Sequence, residues 1–168
     1  MQKVISGKTH VFGNNIDTDQ IYPGRYLELV DPEEIAKHCM EGARDSFMSE
    51  FTGGDIIVGG TNFGCGSSRE HAAITLKSAG VGAVIAKSFA RIFYRNSINL
   101  GLILIVCPEI DKLGLEGDCE KVAINIEKGT VTNSSTGVEI SCEPISEYAM
   151  TILESGGIKN MIRAQYKK

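Results

Sequence analysis

Short apolar runs flanked by glycine punctuate the middle of the chain: Asp55 to Val58, Gly82 to Ala86 and Leu102 to Val106. Runs this short between turn residues predict buried strands. Between them the period changes. Ala72, Ala73, Leu76 and Ala79 recur at helical spacing until Gly80. Phe89, Ile92, Phe93 and Asn96 share one side of a second predicted helix, from Ser88 to near Gly101. Strand, helix, strand, helix, strand over 55–106 is the pattern of a parallel α/β unit.

Upstream, Val4 to Phe12 predicts a strand bent at Gly7, with His10 as a strand residue. Asp31-Pro32-Glu33-Glu34 opens a helix with a capping residue, a proline in the first turn and acids at its positive end. That helix is expected to carry Ile35, Ala36, Cys39 and Met40 and to end near Gly42, followed by a surface connection over 43–54. Downstream, Lys121 to Glu127 alternates apolar and polar residues, and Thr130 to Asn133 and Val138 to Cys142 predict further short strands of an antiparallel meander. A helix from Ser146 to Glu154 ends at Ser155-Gly156-Gly157, and Ile158 to Ala164 adds another turn or two. No repeat, linker or low-complexity stretch interrupts 1–168. The expected fold is one α/β domain, a parallel α/β core with a β-rich flank.

Composition narrows the function. The 168 residues carry 42% hydrophobic positions and a net charge of −4, with no Trp. An acidic balance without a basic block or stacking aromatics argues against nucleic acid as partner. No signal-like segment or membrane-length apolar run is visible, so a cytoplasmic protein is expected. Five scattered cysteines without a C-x-x-C pair read as free thiols. Cys107 ends an apolar run and reads as core, whereas Cys65 lies inside a glycine-rich loop with only His71 near it as a base. No metal site is evident.

That loop, Gly59 to Gly66 followed by Ser67-Ser68-Arg69-Glu70-His71, is the strongest chemical signal. Two readings stay open. Ser67-x-x-Glu70 fits a capping box that merely starts a helix. Two hydroxyls, an arginine fork and backbone N–H groups beside a helix N-terminus also suit a small carboxylate or phosphate. A Walker loop is excluded, because no Gly-Lys-Ser/Thr follows. The other long irregular segment, Gly13 to Leu27, holds Asp17-Thr18-Asp19. Its Asp and Asn side chains suit local backbone turns, but segments of such length are usually functional. Two acids alone make a poor cation cage.

Phe12 to Ile21, Arg25-Tyr26-Leu27, Asn62 to Ala72 and Lys87 to Asn96 together resemble the 3-isopropylmalate dehydratase small subunits of the aconitase superfamily. The resemblance spans essentially the whole chain. It implies a single swivelling β/β/α domain over 1–168 and a lyase chemistry, the removal and re-addition of water on a hydroxy-dicarboxylate. It further implies activity only with a large subunit, which carries a [4Fe–4S] cluster, and no cofactor on this chain. Ser67 matches the general base, Ser68, Arg69, Asp19 and Arg25 match substrate-binding positions, and Arg91 and Arg95 match structural or subunit contacts. Tyr26-Leu27-Glu28-Leu29 falls where relatives vary with substrate. Glu28 would repel a third carboxylate, which disfavours homocitrate and a homoaconitase. The expected substrate is 3-isopropylmalate, in leucine biosynthesis. The alternatives are another alkylmalate, such as 2,3-dimethylmalate or citramalate, and a non-catalytic anion- or RNA-binding module.

Overall fold

The structure, a computed structural model, describes residues 1–167. Its strands are β1 (Val4–Val11), β2 (Ile56–Val58), β3 (Ala83–Ala86), β4 (Leu104–Val106), β5 (Lys121–Asn125), β6 (Thr130–Asn133) and β7 (Glu139–Ser141). Three short helices, α1 (Thr18–Ile21), α2 (Pro32–Ala36) and α3 (Phe47–Glu50), lie between β1 and β2. Helices α4 (His71–Ala79) and α5 (Arg91–Asn99) link the next parallel strands, and α6 (Glu147–Glu154) and α7 (Ile158–Tyr166) follow β7.

One mixed sheet runs β4-β3-β2-β1-β5-β6-β7. β1 joins its two halves. The first part of β1 pairs antiparallel with β5, Ile5 opposite Ile124, and the last part pairs parallel with β2, His10 opposite Ile57. The change of partner falls beside Gly7, where a Cβ would stand 2.6 Å from the Gly54 carbonyl oxygen. Only glycine admits that approach.

The sheet curls so that its antiparallel half covers one face of its parallel half. Val122, Ile124 and Val131 pack with Ile56, Val58, Ala83, Ile85 and Ile105. The opposite face presents Ile57, Val84, Ala86 and Leu104 to the helices, among them Leu76, Phe93 and Ile152. Alternate residues of β2 and β3 thus enter different cores, which is why both strands read as unbroken apolar runs. The layers are β/β/α, as the resemblance implies.

Several boundaries differ from expectation. The helix opened by Pro32 stops at Ala36, and the chain turns through Met40, a non-glycine residue with a φ of 57°. Gly42 then presses on α1, where a Cβ would lie 2.5 Å from the Asp19 carbonyl oxygen. The stretch 43–54 is not only surface connection: it holds α3, whose Phe47 is fully buried against His10 and Phe51. A single turn of helix is too short to show a period in sequence. α5 begins at Arg91 rather than Ser88, and α7 extends past Ala164 to Tyr166. His10 is a buried strand residue, its Nε2 2.8 Å from Asp55 Oδ2.

Candidate functional site

The loops leaving β1, β2 and β3 are laced together by backbone bonds at the carboxyl end of the parallel strands, the usual ligand end of such sheets. Gly60 N donates to Gly13 O, Asn15 N to Thr61 O, Gly64 N to Ile16 O and Thr18 N to Cys65 O. On the other side Phe63 N donates to Ser88 O and Ala90 N to Phe63 O. Ser88 also accepts the Asn62 N–H on its Oγ, which is why it does not start α5. Gly64, with a φ of +85°, packs so closely on Phe93 that any Cβ would enter the ring. The glycine-rich loop is therefore a rigid extension of the sheet, and Ser67 hangs from its end.

Ser67 does not cap a helix. α4 starts at His71, its flanking residue Glu70 has helical angles and makes no side-chain cap bond. The capping-box expectation fails because the left-handed turn at Gly66 (φ +99°) carries the chain past the geometry a cap needs. Instead Ser67 Oγ, exposed, accepts a hydrogen bond from Arg69 Nε at 3.0 Å. Arg69 Nη1 is buried and has no hydrogen-bond partner. Its nearest carboxylate is that of Asp19, with Oδ1 4.0 Å away. Ser68 is exposed beside this pair. The Arg69 side chain is 37% exposed overall, so the rest of its guanidinium fork lies open beside the exposed serines.

Around Asp19 the local-turn reading holds. Asp17 caps α1, accepting from Gln20 N at 2.8 Å, and Asp19 Oδ1 accepts from Gly24 N at 2.7 Å. Gly24 sits against the site: a Cβ there would lie 3.1 Å from Arg69 Nη1 and 3.3 Å from Asp19 Oδ1.

Beyond Gly24, two expected site residues meet at Glu41. Arg25 Nη2 pairs with Glu41 Oε1 at 2.8 Å, and Tyr26 OH donates to the same oxygen at 2.7 Å. Leu27 and Leu29 are half-buried, Glu28 is exposed, and Val30 beyond them is 87% exposed. Burial alone would raise the Glu41 carboxyl. Hydrogen bonds from Tyr26, His38 and Arg25 outweigh it and hold the group below the usual carboxylate range. His38 and Glu41 had no signal in the sequence, because their meeting with Arg25 and Tyr26 depends on the turn at Met40.

His10, Glu50 and Asp118 each place one ligand atom within 4.8 Å of the others. Arg44 already serves these carboxylates as their cation, with Nη1 2.6 Å from Asp118 and 3.9 Å from Glu50. No cysteine belongs to a ligating group among the described residues. Cys39 and Cys107 are buried, Cys119 is exposed, and Cys65 and Cys142 are half-buried. An iron–sulfur cluster is held mainly by cysteine thiolates, four in the common types, and these residues do not fit one. Arg91 and Arg95 are exposed on α5. No helix among the described residues is long and apolar enough to cross a membrane.

The family described as the aconitase C-terminal domain matches residues 2–110. The 3-isopropylmalate dehydratase small subunit 1 of Methanopyrus kandleri is 53% identical over 98% of this chain and 96% of its own length. The isopropylmalate/citramalate isomerase small subunit of Methanocaldococcus jannaschii is 51% identical over 94% of this chain and 93% of its own. A crystal structure of 3-isopropylmalate dehydratase from the same organism superposes with a TM-score of 0.91 at 44% identity, covering 97% of this chain and 95% of that one. By sequence and by fold, the chain belongs to the aconitase C-terminal domain family, alongside the small subunits of 3-isopropylmalate dehydratase.

Proposed function

We propose that the chain is the small subunit of a hydro-lyase that interconverts 2- and 3-isopropylmalate, a step of leucine biosynthesis in the cytoplasm. It acts as one swivelling domain on a large subunit. The observation that carries the reading is the partly exposed Arg69 guanidinium beside two exposed serines, its Nε holding Ser67 Oγ.

One carboxylate of the malate binds Arg69, with Ser68 and the first free N–H groups of α4 beside it. Ser67 Oγ then lies next to the carbon that bears this carboxylate and takes its proton. A free serine hydroxyl is far too weak a base for this. The cationic donor at 3.0 Å stabilises the alkoxide form and lowers its cost. Asp19 braces Gly24, and thereby the segment that borders the site. The partner's [4Fe–4S] cluster supplies Lewis acidity toward the hydroxyl that leaves. Ser67 and Ser68 are exposed on this chain, so the large subunit completes the site and excludes water.

Ser67→Ala in the complex lowers kcat by roughly a thousandfold or more, the scale of losing a proton-transfer group. Its KM changes little, because Arg69 still binds the carboxylate. Full turnover by that variant overturns the reading. A second reading, a hydro-lyase for another alkylmalate such as citramalate, is favoured by the exposed Glu28, which departs from an apolar border, and is separated by a substrate panel.

A further inference from the structure

The Glu41 carboxylate is the meeting point of three side chains. Oε1 accepts from Arg25 Nη2 at 2.8 Å and from Tyr26 OH at 2.7 Å, and Oε2 lies 2.6 Å from His38 Nδ1. The His38 ring lies flat on Tyr26, with centroids 3.6 Å apart and planes at 13°. The Arg25 guanidinium also lies over this ring, its Cζ 4.8 Å from the Tyr26 centroid. The front of the 24–29 segment is thus clamped onto a turn that follows α2.

Two further bonds tie the clamped segment to the candidate site. Gly24 N donates to Asp19, and the Gly24 backbone packs on Arg69. Tyr22 OH donates to Tyr26 O at 2.6 Å, and the Tyr22 ring stacks on His71, the first residue of α4. Anything that shifts Tyr26 therefore reaches both Asp19 and the helix that follows Arg69. The pairing also engages Arg25, the one cation of the segment, with a carboxylate of its own chain.

We propose that Glu41 and His38 are positioning residues that hold the Gly24–Leu29 segment against Asp19 and Arg69, and so set which malate substituent the site accepts. The same clamp engages the exposed Arg25 guanidinium on Glu41, so that it is not free to pair with a third carboxylate of a substrate. This inference rests on the proposed function. The charge and bond count at Glu41 give its direction: removing the carboxylate frees Arg25 and Tyr26 together.

The test uses the complex with its large subunit, assembled anaerobically, carrying Glu41→Ala, Glu41→Gln or Tyr26→Phe. Expected for Glu41→Ala is a KM for 3-isopropylmalate raised roughly tenfold with kcat within about twofold, because substrate placement is lost and the base is kept. Relative use of homocitrate rises in the same variant, and Glu41→Gln, which still accepts a hydrogen bond, recovers part of both changes. Amide hydrogen exchange over 24–29 accelerates in Glu41→Ala and, more weakly, in Tyr26→Phe. An unchanged KM together with unchanged exchange overturns the inference, and so does a loss confined to kcat. The Ser67→Ala complex keeps the failures apart. If it turns over normally, the proposed chemistry falls, while exchange over 24–29, which needs no substrate, still decides whether the clamp exists.

Discussion

At the scale of single residues, Arg69 joins two tasks in one planar group. Nε holds the serine oxygen at 3.0 Å, and Nη1 is left buried without an acceptor. A lysine places one compact charge there and makes neither bond with the same geometry. Arg69→Lys therefore lowers kcat/KM roughly ten- to hundredfold, the worth of a charge-assisted hydrogen bond, and raises KM as well as lowering kcat. Steady-state kinetics on the complex check this, and a variant with only kcat changed contradicts the double role. The Ser-Ser-Arg run suggested an anion site from residue types alone. Its rival, the capping box, could be rejected only once Gly66 was seen to turn the chain before α4.

At the scale of elements, the parallel strands were legible because each is apolar on both faces, and α4 because its period is regular up to Gly80. The region between β1 and β2 was not. Its helices are one turn long or little more, and its shape depends on Met40 in a left-handed conformation and on Gly42 packed against α1. Glu41 lies between those two residues, so its meeting with Arg25, Tyr26 and His38 is a product of that turn. The hydrogen bonds lower its folded pKa, which fixes the sign of a pH effect. Its contribution to stability is complete above the unfolded carboxyl value of about 4.3 and is lost as pH falls through the lowered folded value. In denaturant titrations, the gap between the native protein and Glu41→Gln is expected to shrink on acidification below the unfolded carboxyl value of about 4.3. A gap that widens in acid contradicts the assignment.

At the scale of the whole molecule, the long strand β1 is what allows one sheet to serve as two layers. Its antiparallel half folds over the parallel half, the helices take the remaining face, and the laced loops present Ser67 at an open edge. The β/β/α layering came from the family resemblance, and the α/β core and its β-rich flank were legible from the switch between an α/β unit and a meander. The curl was not, because it depends on a close backbone approach at Gly7 that no local pattern records. An exposed serine held by a partly exposed guanidinium accords with a small subunit whose site a larger partner completes.

The most direct measurement is formation of the unsaturated diacid, followed by absorbance, after anaerobic assembly with the cognate large subunit. 3-Isopropylmalate, 2,3-dimethylmalate, citramalate and homocitrate are offered in parallel, with this chain omitted in one arm. The account predicts turnover only when both subunits are present, with 3-isopropylmalate preferred and homocitrate the poorest. Equal turnover without this chain, or a preference for homocitrate, would contradict it.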